Sequence, residues 1–287
     1  MESTISNRAV DLHVHSTFSD GTDTPTELVH KAVAYGLSAM ALTDHDTLDG
    51  VPEAMKAGQA AGLEVIPGVE LSTFFDTKEI HIVGLYIDYM NEDFKKELTE
   101  LQNVRNHRNE IMCEKFQEIG IPVDYNELVA SYPDAVLTRA HFADYLLNKG
   151  FIKSRNEAFE RYIGDHGPCY VPRKKLDPAK AVQLIQQAGG IAILAHPVLY
   201  HLGNDAMHKL MDYLKDAGIV ALEAIYSTYS MGEEAQMRKL AKEYNLLISG
   251  GSDYHGENKP TIDLGKGRGR LFVPYQVLEN LKDIFLR

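Results

Sequence analysis

The sequence predicts an α/β protein, either a β/α barrel or an open α/β sheet. Three observations support this class. Short apolar segments alternate along much of the chain with amphipathic segments of helical period. Polar residues able to do chemistry follow several of the apolar segments directly. In parallel α/β folds the carboxyl ends of the strands meet at one rim, so these residues are expected to lie together.

The first predicted strand contains two histidines in an H-x-H pattern. Apolar and polar residues alternate across residues 10–15, which is the period of a β-strand. His13 and His15 are therefore expected on the same face, where both imidazoles can reach one ion. A turn signal follows and leaves Asp20 near the end of the strand. The pattern alone is equally consistent with one buried and one exposed histidine.

The other predicted strands are short apolar segments bounded by turn or glycine signals. They are residues 39–42, 63–70, 80–86, 190–195, 220–224 and 246–249. The predicted helices of the α/β part have an apolar face and begin or end at capping, proline or glycine signals. They are residues 24–36, 52–61, 179–188, 206–217 and 231–244.

The alternation stops in the middle of the chain. Between about residues 91 and 171 the sequence is charged and helical by its apolar period, with a break at Gly120. We therefore predict an all-helical insertion over 91–171 that forms a lid. Residues 1–90 and 172–287 would form the barrel domain.

Composition excludes several classes of protein. The formal net charge of -12 argues against a broad basic surface that holds long nucleic acid. Cys113 and Cys169 are far apart and are expected as free thiols in a reducing compartment. We recognise no signal segment and no apolar run of the ~20 residues that a membrane span needs. We expect a cytoplasmic protein that does not insert into membranes.

Nine possible metal ligands lie at or near the ends of predicted strands. They are His13, His15, Asp20, His45, Glu70, His81, His196, Asp253 and His255. Taken singly, each histidine is more often a buried core residue and each carboxylate a helix cap. So many on one rim favour a metal site with two or three divalent ions. Nitrogen and oxygen ligands without thiolate favour Zn, Mn or Fe.

The motifs that carry these residues resemble those of the polymerase and histidinol phosphatase (PHP) superfamily. They are D-L-H-V-H-S-x-x-S-D-G, T-D-H-D-T, P-G-V-E, a strand histidine, A-H-P and G-S-D-Y-H-G, in this order. The resemblance covers most of the chain outside the insertion. It implies a distorted seven-stranded β/α barrel with a trinuclear metal site.

Carried over residue by residue, the resemblance also implies how the ligands divide among the ions. The implied sets are His13, His15, Glu70 and Asp253; His81 and His196 with Glu70 as the bridge; and Asp20, His45 and His255. Asp44 and Asp46 would at most orient ligands. Ions so close together favour phosphoester hydrolysis by a metal-activated hydroxide. His196 or His255, if displaced from a metal ion, could protonate the leaving group.

Substrate contacts are expected from the insertion and the segment after it. The insertion contains a T-R-x-H-x-A segment, residues 138–143. A barrel with such an insertion resembles the nucleotide phosphatase branch of the superfamily. It also resembles a related branch that trims short RNA from the 5′ end. Arg139 matches phosphate with its planar guanidinium group. His141 would contact a phosphate or cap a helix. Arg173 and Lys174, followed by Lys175, would form a second phosphate subsite or a solvated face.

Two further arginines of the insertion are not expected to bind substrate. Arg105 and Arg108 lie three residues apart on its first predicted helix. We expect ordinary surface positions for both.

The leading hypothesis is a metal-dependent phosphatase that acts on a small phosphorylated nucleotide. Its substrate would be the 3′-phosphate of nucleoside 3′,5′-bisphosphates, or AMP. One alternative is a 5′-to-3′ exoribonuclease on very short RNA. Histidinol-phosphate hydrolysis is less favoured, because the T-R-x-H-x-A segment has no obvious role there. From a different class, the chain would be a non-catalytic metal-binding module.

Overall fold

All the strands pair into one mixed sheet in the computed structural model, which describes residues 8–76, 78–164, 166–172 and 176–286. The strands are β1 (Ala9–Val14), β2 (Leu37–Leu42), β3 (Glu64–Phe75), β4 (Lys78–Leu85), β5 (Ile191–Leu194), β6 (Ala221–Tyr226), β7 (Leu247–Gly251) and β8 (Val273–Pro274). Their order in the sheet is β7-β6-β5-β4-β3-β2-β1-β8. The two-residue strand β8 is additional to the seven predicted.

The sheet curls so that its first and seventh strands meet. Just after β7, the backbone N–H of Asp253 donates to the carbonyl of His13 at 2.9 Å, and that of His15 donates to Tyr254 at 3.0 Å. These bonds join the ends of β1 and β7 and nearly close a barrel. The predicted β/α barrel is confirmed.

Helices surround the sheet and fill the middle of the chain. They are α1 (Pro25–Ala34), α2 (Val51–Ala61), α3 (Glu92–Glu118), α4 (Tyr125–Ser131), α5 (Arg139–Asn148), α6 (Arg155–Ala158), α7 (Pro178–Gln187), α8 (Asn204–Ala217), α9 (Met231–Glu243) and α10 (Tyr275–Phe285). Thr24 caps α1 in a capping box with Glu27. Of the described helices, none has the length and apolarity to cross a membrane.

One strand runs against the expected direction. β4 pairs antiparallel with both β3 and β5, so the barrel is not fully parallel. β2 ends where Leu42 pairs with Pro67, but β3 continues to Phe75 as a hairpin with β4. Glu70 therefore lies inside β3 rather than near its end. It faces the rim because the hairpin extends beyond β2.

Alternate residues of the strands enter two separate hydrophobic cores. Ala39 and Ala41 of β2 belong to a core inside the barrel, which α10 also enters through Leu278. Met40 and Leu42 belong to the core between the sheet and the outer helices. Because both faces of the strand are buried, residues 39–42 of β2 are all apolar.

The helices of the middle stretch pack around a core of their own. We call residues 92–163 the helical region; it ends in a π-helical turn, Phe159–Ile163. Phe116 and Phe142 are fully buried at its centre. The region meets the barrel at the loop after β1, where the N–H of Val136 donates to the carbonyl of Phe18 at 2.9 Å. It therefore lies beside the rim that carries the predicted ligands.

Candidate metal centre and substrate pocket

All nine predicted ligands come together at the barrel rim. They fall into four overlapping groups whose ligand atoms lie within 4.8 Å of one another. The groups are His15, Asp20, His45 and His255; His13, Glu70 and His196; His13, His15 and Asp253; and His45, Glu70 and His81. The residues come from distant parts of the sequence, and the ends of the strands bring them together.

Four ligand atoms form one compact set. The Nε2 atoms of His13 and His15 are 3.1 Å apart, and Glu70 Oε2 lies 3.2 Å from each. Asp253 Oδ1 lies 3.7 Å from the first nitrogen and 3.3 Å from the second. A tetrahedral ion with ligands at about 2.1 Å needs ligand atoms about 3.4 Å apart. The set has the spacing of a metal site.

Glu70 also links the other two implied sets. Its Oε1 lies 2.8 Å from His81 Nδ1 and 3.0 Å from His196 Nε2. Its Oε2 lies 3.2 Å from His45 Nδ1, on the side of the third set. One buried carboxylate thus contacts imidazoles of all three sets, as a bridging ligand would.

The third set lies on the side of the helical region. His255 Nε2 is 3.2 Å and His45 Nε2 is 3.8 Å from Asp20 Oδ1. The other oxygen of Asp20 accepts a hydrogen bond from Thr138 Oγ1 at 3.0 Å. Thr138 is the N-cap of α5, so the helical region orients this carboxylate.

Two of the histidines form hydrogen bonds through Nδ1, on the side away from the cluster. These bonds orient the rings so that Nε2 faces the cluster. His13 Nδ1 donates to Glu223 Oε1 at 2.9 Å. His255 Nδ1 donates to the carbonyl of Asp253 at 2.9 Å. Oriented acceptors of this kind are typical of metal-binding histidines.

His15 is oriented through a relay. Ser19 Oγ donates to Asp44 Oδ1 at 2.6 Å, which leaves its lone pair to accept from His15 Nδ1 at 3.3 Å. When both imidazoles are neutral, the Nε2 atoms of His13 and His15 therefore carry lone pairs, although they face each other. Two facing lone pairs beside two carboxylates repel unless a cation lies between them. The residues present fit a divalent metal ion.

Burial and neighbouring charges set the protonation states of the cluster. Burial acts to lower the pKa of His15, but the carboxylates of Asp253 and Glu70 outweigh it and raise the pKa to about 9. Burial acts to raise the pKa of Glu70, but His13 and His81 outweigh it and hold the pKa well below its usual range. The carboxylate therefore stays ionised. A metal ion binding here competes with protons for the imidazoles.

Three residues of the rim have left-handed backbone conformations. The φ angles are 52° for Asp46, 26° for His196 and 54° for Asp253. Residues other than glycine rarely adopt such angles, and functional sites concentrate them. The fold therefore holds three residues in energetically unfavourable backbone conformations where the candidate ligands converge.

A pocket of about 330 Å³ lies between this cluster and the helical region. Metal-ligand candidates form one side of it: Asp20, His45, His81 and His255. Four arginines of the helical region line it as well: Arg105, Arg108, Arg139 and Arg155. The pocket is therefore lined by both candidate metal ligands and guanidinium groups, and its volume is that of a small-molecule site.

Comparison with known proteins now identifies the family. The family model for the PHP domain matches residues 11–166. The chain belongs to the PHP domain family.

Relatives extend the match over nearly the whole chain. A "5′-3′ exoribonuclease" of Haemophilus influenzae is 38% identical over 245 residues, which are 85% of this chain and 89% of the relative. A "3′,5′-nucleoside bisphosphate phosphatase" of Chromobacterium violaceum is 31% identical and covers 89% of this chain and 90% of its own. A structure from Bifidobacterium adolescentis, assigned as a metal-dependent phosphoesterase, superposes with a TM-score of 0.85 at 26% identity, over 96% of each chain. As predicted, the chain is a PHP-family metal-dependent phosphoesterase.

The predicted substrate residues of this PHP chain have different surroundings. Arg139 lines the pocket, where its Nη2 pairs with Glu79 Oε2 at 2.9 Å. His141 is buried and its Nδ1 accepts from the N–H of Thr138 at 2.9 Å, so it caps α5. Arg173 and Lys174 lie outside the described residues.

The expected surface positions of Arg105 and Arg108 are wrong. Their exposed fractions are 4% and 6%, and both line the pocket. Arg105 forms an ion pair with Asp46 and donates to Ser72 Oγ at 3.2 Å. Asp46, the neighbour of His45, thereby orients an arginine rather than a metal ligand.

The two predicted proton donors are also placed in the cluster. His255 lines the PHP pocket, and His196 contacts Glu70 deeper in the rim. Burial, reinforced by the positive charges of Lys259 and His15, lowers the pKa of His255. A neutral imidazole is the form that binds a metal, so His255 is better suited to ligation than to proton donation. The proton-donor role stays a prediction.

Three residues around the cluster had not been predicted to serve it. Glu223 orients His13 and also accepts from the N–H of His196 at 2.7 Å. Asp253 Oδ2 accepts from Tyr226 at 2.5 Å and from Lys259 at 2.6 Å. A glutamate inside the apolar strand β6 is a signal that sequence reasoning could have used. The sequence gives no comparable signal for Lys259.

Proposed function

We propose that this enzyme removes the 3′-phosphate from nucleoside 3′,5′-bisphosphates. One observation carries the proposal: the pocket places four guanidinium groups opposite the candidate metal ligands. A substrate with two phosphates can present one to the cluster and the other to the arginines. Guanidinium groups match phosphate oxygens in shape and charge.

The proposal assigns two to three divalent ions, Mn, Fe or Zn, to the three ligand sets. When bound, such ions supply Lewis-acid stabilisation of the phosphate oxygens and lower the pKa of water. The chain holds the carboxylates ionised and the imidazole lone pairs directed inward, as described above. Glu70 contacts all three sets and therefore keeps them at a fixed spacing.

The arginines would hold the phosphate that is not hydrolysed. Arg139 and Arg105 are each kept in place by a carboxylate, Glu79 and Asp46, so little conformational freedom is lost when an anion arrives. Lys259 lines the same pocket and adds positive charge near the rim. This charge distribution selects doubly charged small substrates despite the net charge of -12.

A second candidate function is 5′-to-3′ hydrolysis of very short RNA. The relative from Haemophilus influenzae that carries this name favours it. A second cavity of about 450 Å³ also adjoins the pocket and shares Arg155 and Asn258 with it. That cavity offers room for a further nucleotide. Both candidates use the same metal cluster.

The deciding experiment compares matched substrates. Full-length protein loaded separately with Mn, Zn or Fe would be given adenosine 3′,5′-bisphosphate and a 5′-phosphorylated dinucleotide or trinucleotide. The proposal predicts release of inorganic phosphate from the bisphosphate, and loss of this activity after chelation. Cleavage of the oligonucleotides with the bisphosphate left intact would establish the second candidate instead.

A further inference from the structure

One aromatic side chain of the helical region faces the pocket instead of its own hydrophobic core. Phe159 is 39% exposed and lines the pocket together with Asn156. Its chain neighbour Ala158 and the end of the same turn, Ile163, are fully buried in the core. An isolated exposed apolar residue is ordinary, so exposure alone carries no inference.

The backbone conformation at Phe159 is unusual for a helix. Phe159 begins a π-helical turn, which inserts one extra residue and changes the direction of the side chains that follow. The N–H of Gly164 donates to the carbonyl of Phe159 at 3.0 Å and closes the turn. A Cβ at Gly164 would lie only 2.3 Å from that carbonyl oxygen, so the closure requires glycine. Such turns are frequent at functional sites.

The segment before the turn is attached to the barrel. Arg155 forms an ion pair with Asp144 and donates to the carbonyl of Glu257 at 2.9 Å. Ser154 caps the short helix α6 that follows it. Phe159 is therefore held at a defined place on the pocket wall rather than on a free surface helix.

We propose that Phe159 is the stacking platform for the nucleobase of the substrate. The proposal rests on the nucleotide substrate proposed above and names the part of the site that recognises the base. Arg139 and Arg155 line the same wall and supply charge for phosphate, whereas the phenyl ring supplies a flat apolar face. Every base has a π-face, so stacking accepts all four bases but rejects sugar phosphates that lack one.

The test is a pair of binding measurements on the metal-loaded, full-length protein. The first ligand is the phosphonate analogue of AMP, in which a P–C bond replaces the ester and blocks hydrolysis. The second is the corresponding ribose phosphonate without a base. Isothermal titration gives an affinity ratio for the pair, and that ratio isolates the contribution of the base.

Phe159→Ala should weaken binding of the AMP analogue by about 5- to 150-fold, the range of base–aromatic stacking. Binding of the ribose phosphonate should not change, and Phe159→Tyr should retain most of the ratio. Phe151→Ala is the matched control, because Phe151 is 37% exposed in the same helical region but does not line the pocket.

The proposal would be overturned if Phe159→Ala leaves the affinity ratio unchanged, either because neither affinity falls or because both fall equally. Turnover of adenosine 3′,5′-bisphosphate, measured on the wild-type protein, reports separately on the proposed function. If the affinity ratio depends on Phe159 but the bisphosphate is not hydrolysed, the stacking role of Phe159 is supported and the proposed reaction is wrong.

Discussion

The barrel rim and the helical region face one pocket, but they hold their charged groups differently. At the rim, acceptor atoms crowd together: Glu70 Oε2 is 3.2 Å from the Nε2 atoms of both His13 and His15. In the helical region, three of the pocket arginines each pair with a different carboxylate, as Arg139 does with Glu79. The first arrangement gathers imidazoles and carboxylates with the spacing of a metal site, whereas in the second each cation is paired with a carboxylate.

Under the proposed function, this difference assigns metal binding to the rim and substrate recognition to the helical region. Changes at the rim should alter metal content, and activity should fall as a consequence. Changes in the helical region should alter substrate affinity and leave metal content unchanged. The first three of the following substitutions test this separation, and the fourth tests a contact between the two regions.

The largest effect is expected from Glu70→Gln. The substitution removes the charge that contacts all three ligand sets. Activity should fall by more than the roughly 10- to 100-fold typical of residues that only orient a ligand, and bound metal should decrease. Elemental analysis after desalting and a phosphate-release assay measure both. Normal metal content and normal rates would remove Glu70 from the site.

Arg139→Ala tests the helical region. Loss of a charge-assisted contact with phosphate costs about 1.5–3 kcal/mol, so kcat/KM for the bisphosphate should fall about 10- to 150-fold. Metal content should not change. Arg161→Ala is the control, since Arg161 is an exposed arginine of the same region paired with Glu157. If kcat/KM is unchanged, Arg139 does not contact the substrate.

Glu223→Gln tests whether Glu223 orients the two candidate metal ligands that donate to it, His13 and His196. The amide can replace one acceptor, but its NH2 group would then face a donor, either His13 Nδ1 or the N–H of His196. Metal affinity or activity should fall about 10- to 100-fold. Glu243→Gln serves as a control outside the site, because Glu243 pairs with His208 on the surface. Equal behaviour of the two variants would contradict the orienting role.

The smallest effect is expected where the two regions touch. Thr138 caps α5 and also donates to Asp20, so Thr138→Ala removes both contacts. The lost cap should lower the free energy of unfolding by about 1 kcal/mol. Thr138→Ser keeps the hydroxyl and should behave like the wild type. Denaturant unfolding of the two variants makes the comparison, and identical stabilities would argue against the cap.

The convergence of the nine candidate ligands could be predicted from the sequence because they follow signals that local patterns carry. His13 and His15 alternate with apolar residues of a strand, and Asp253 and His255 follow the last long strand. Where strands end together, such residues must meet. The barrel and the family could be predicted for the same reason.

Other features depend on contacts that local patterns do not carry. An apolar segment such as β4 does not reveal its direction, which pairing with both neighbours decides. Arg105 and Arg108 are polar residues on an amphipathic helix, and only the packing of that helix beside the rim buries them. Glu223 is an exception, because a charged residue in a strand with two buried faces is itself a local signal of a buried partner.

The proposed function requires the rim to bind divalent cations between its converging imidazoles and carboxylates. A crystal of the protein grown with Mn²⁺, and measured for anomalous scattering, shows whether it does. We predict strong anomalous peaks among His13, His15, Glu70 and Asp253, and among Asp20, His45 and His255. A well-ordered rim with these side chains in place and no anomalous peak between them would contradict the account.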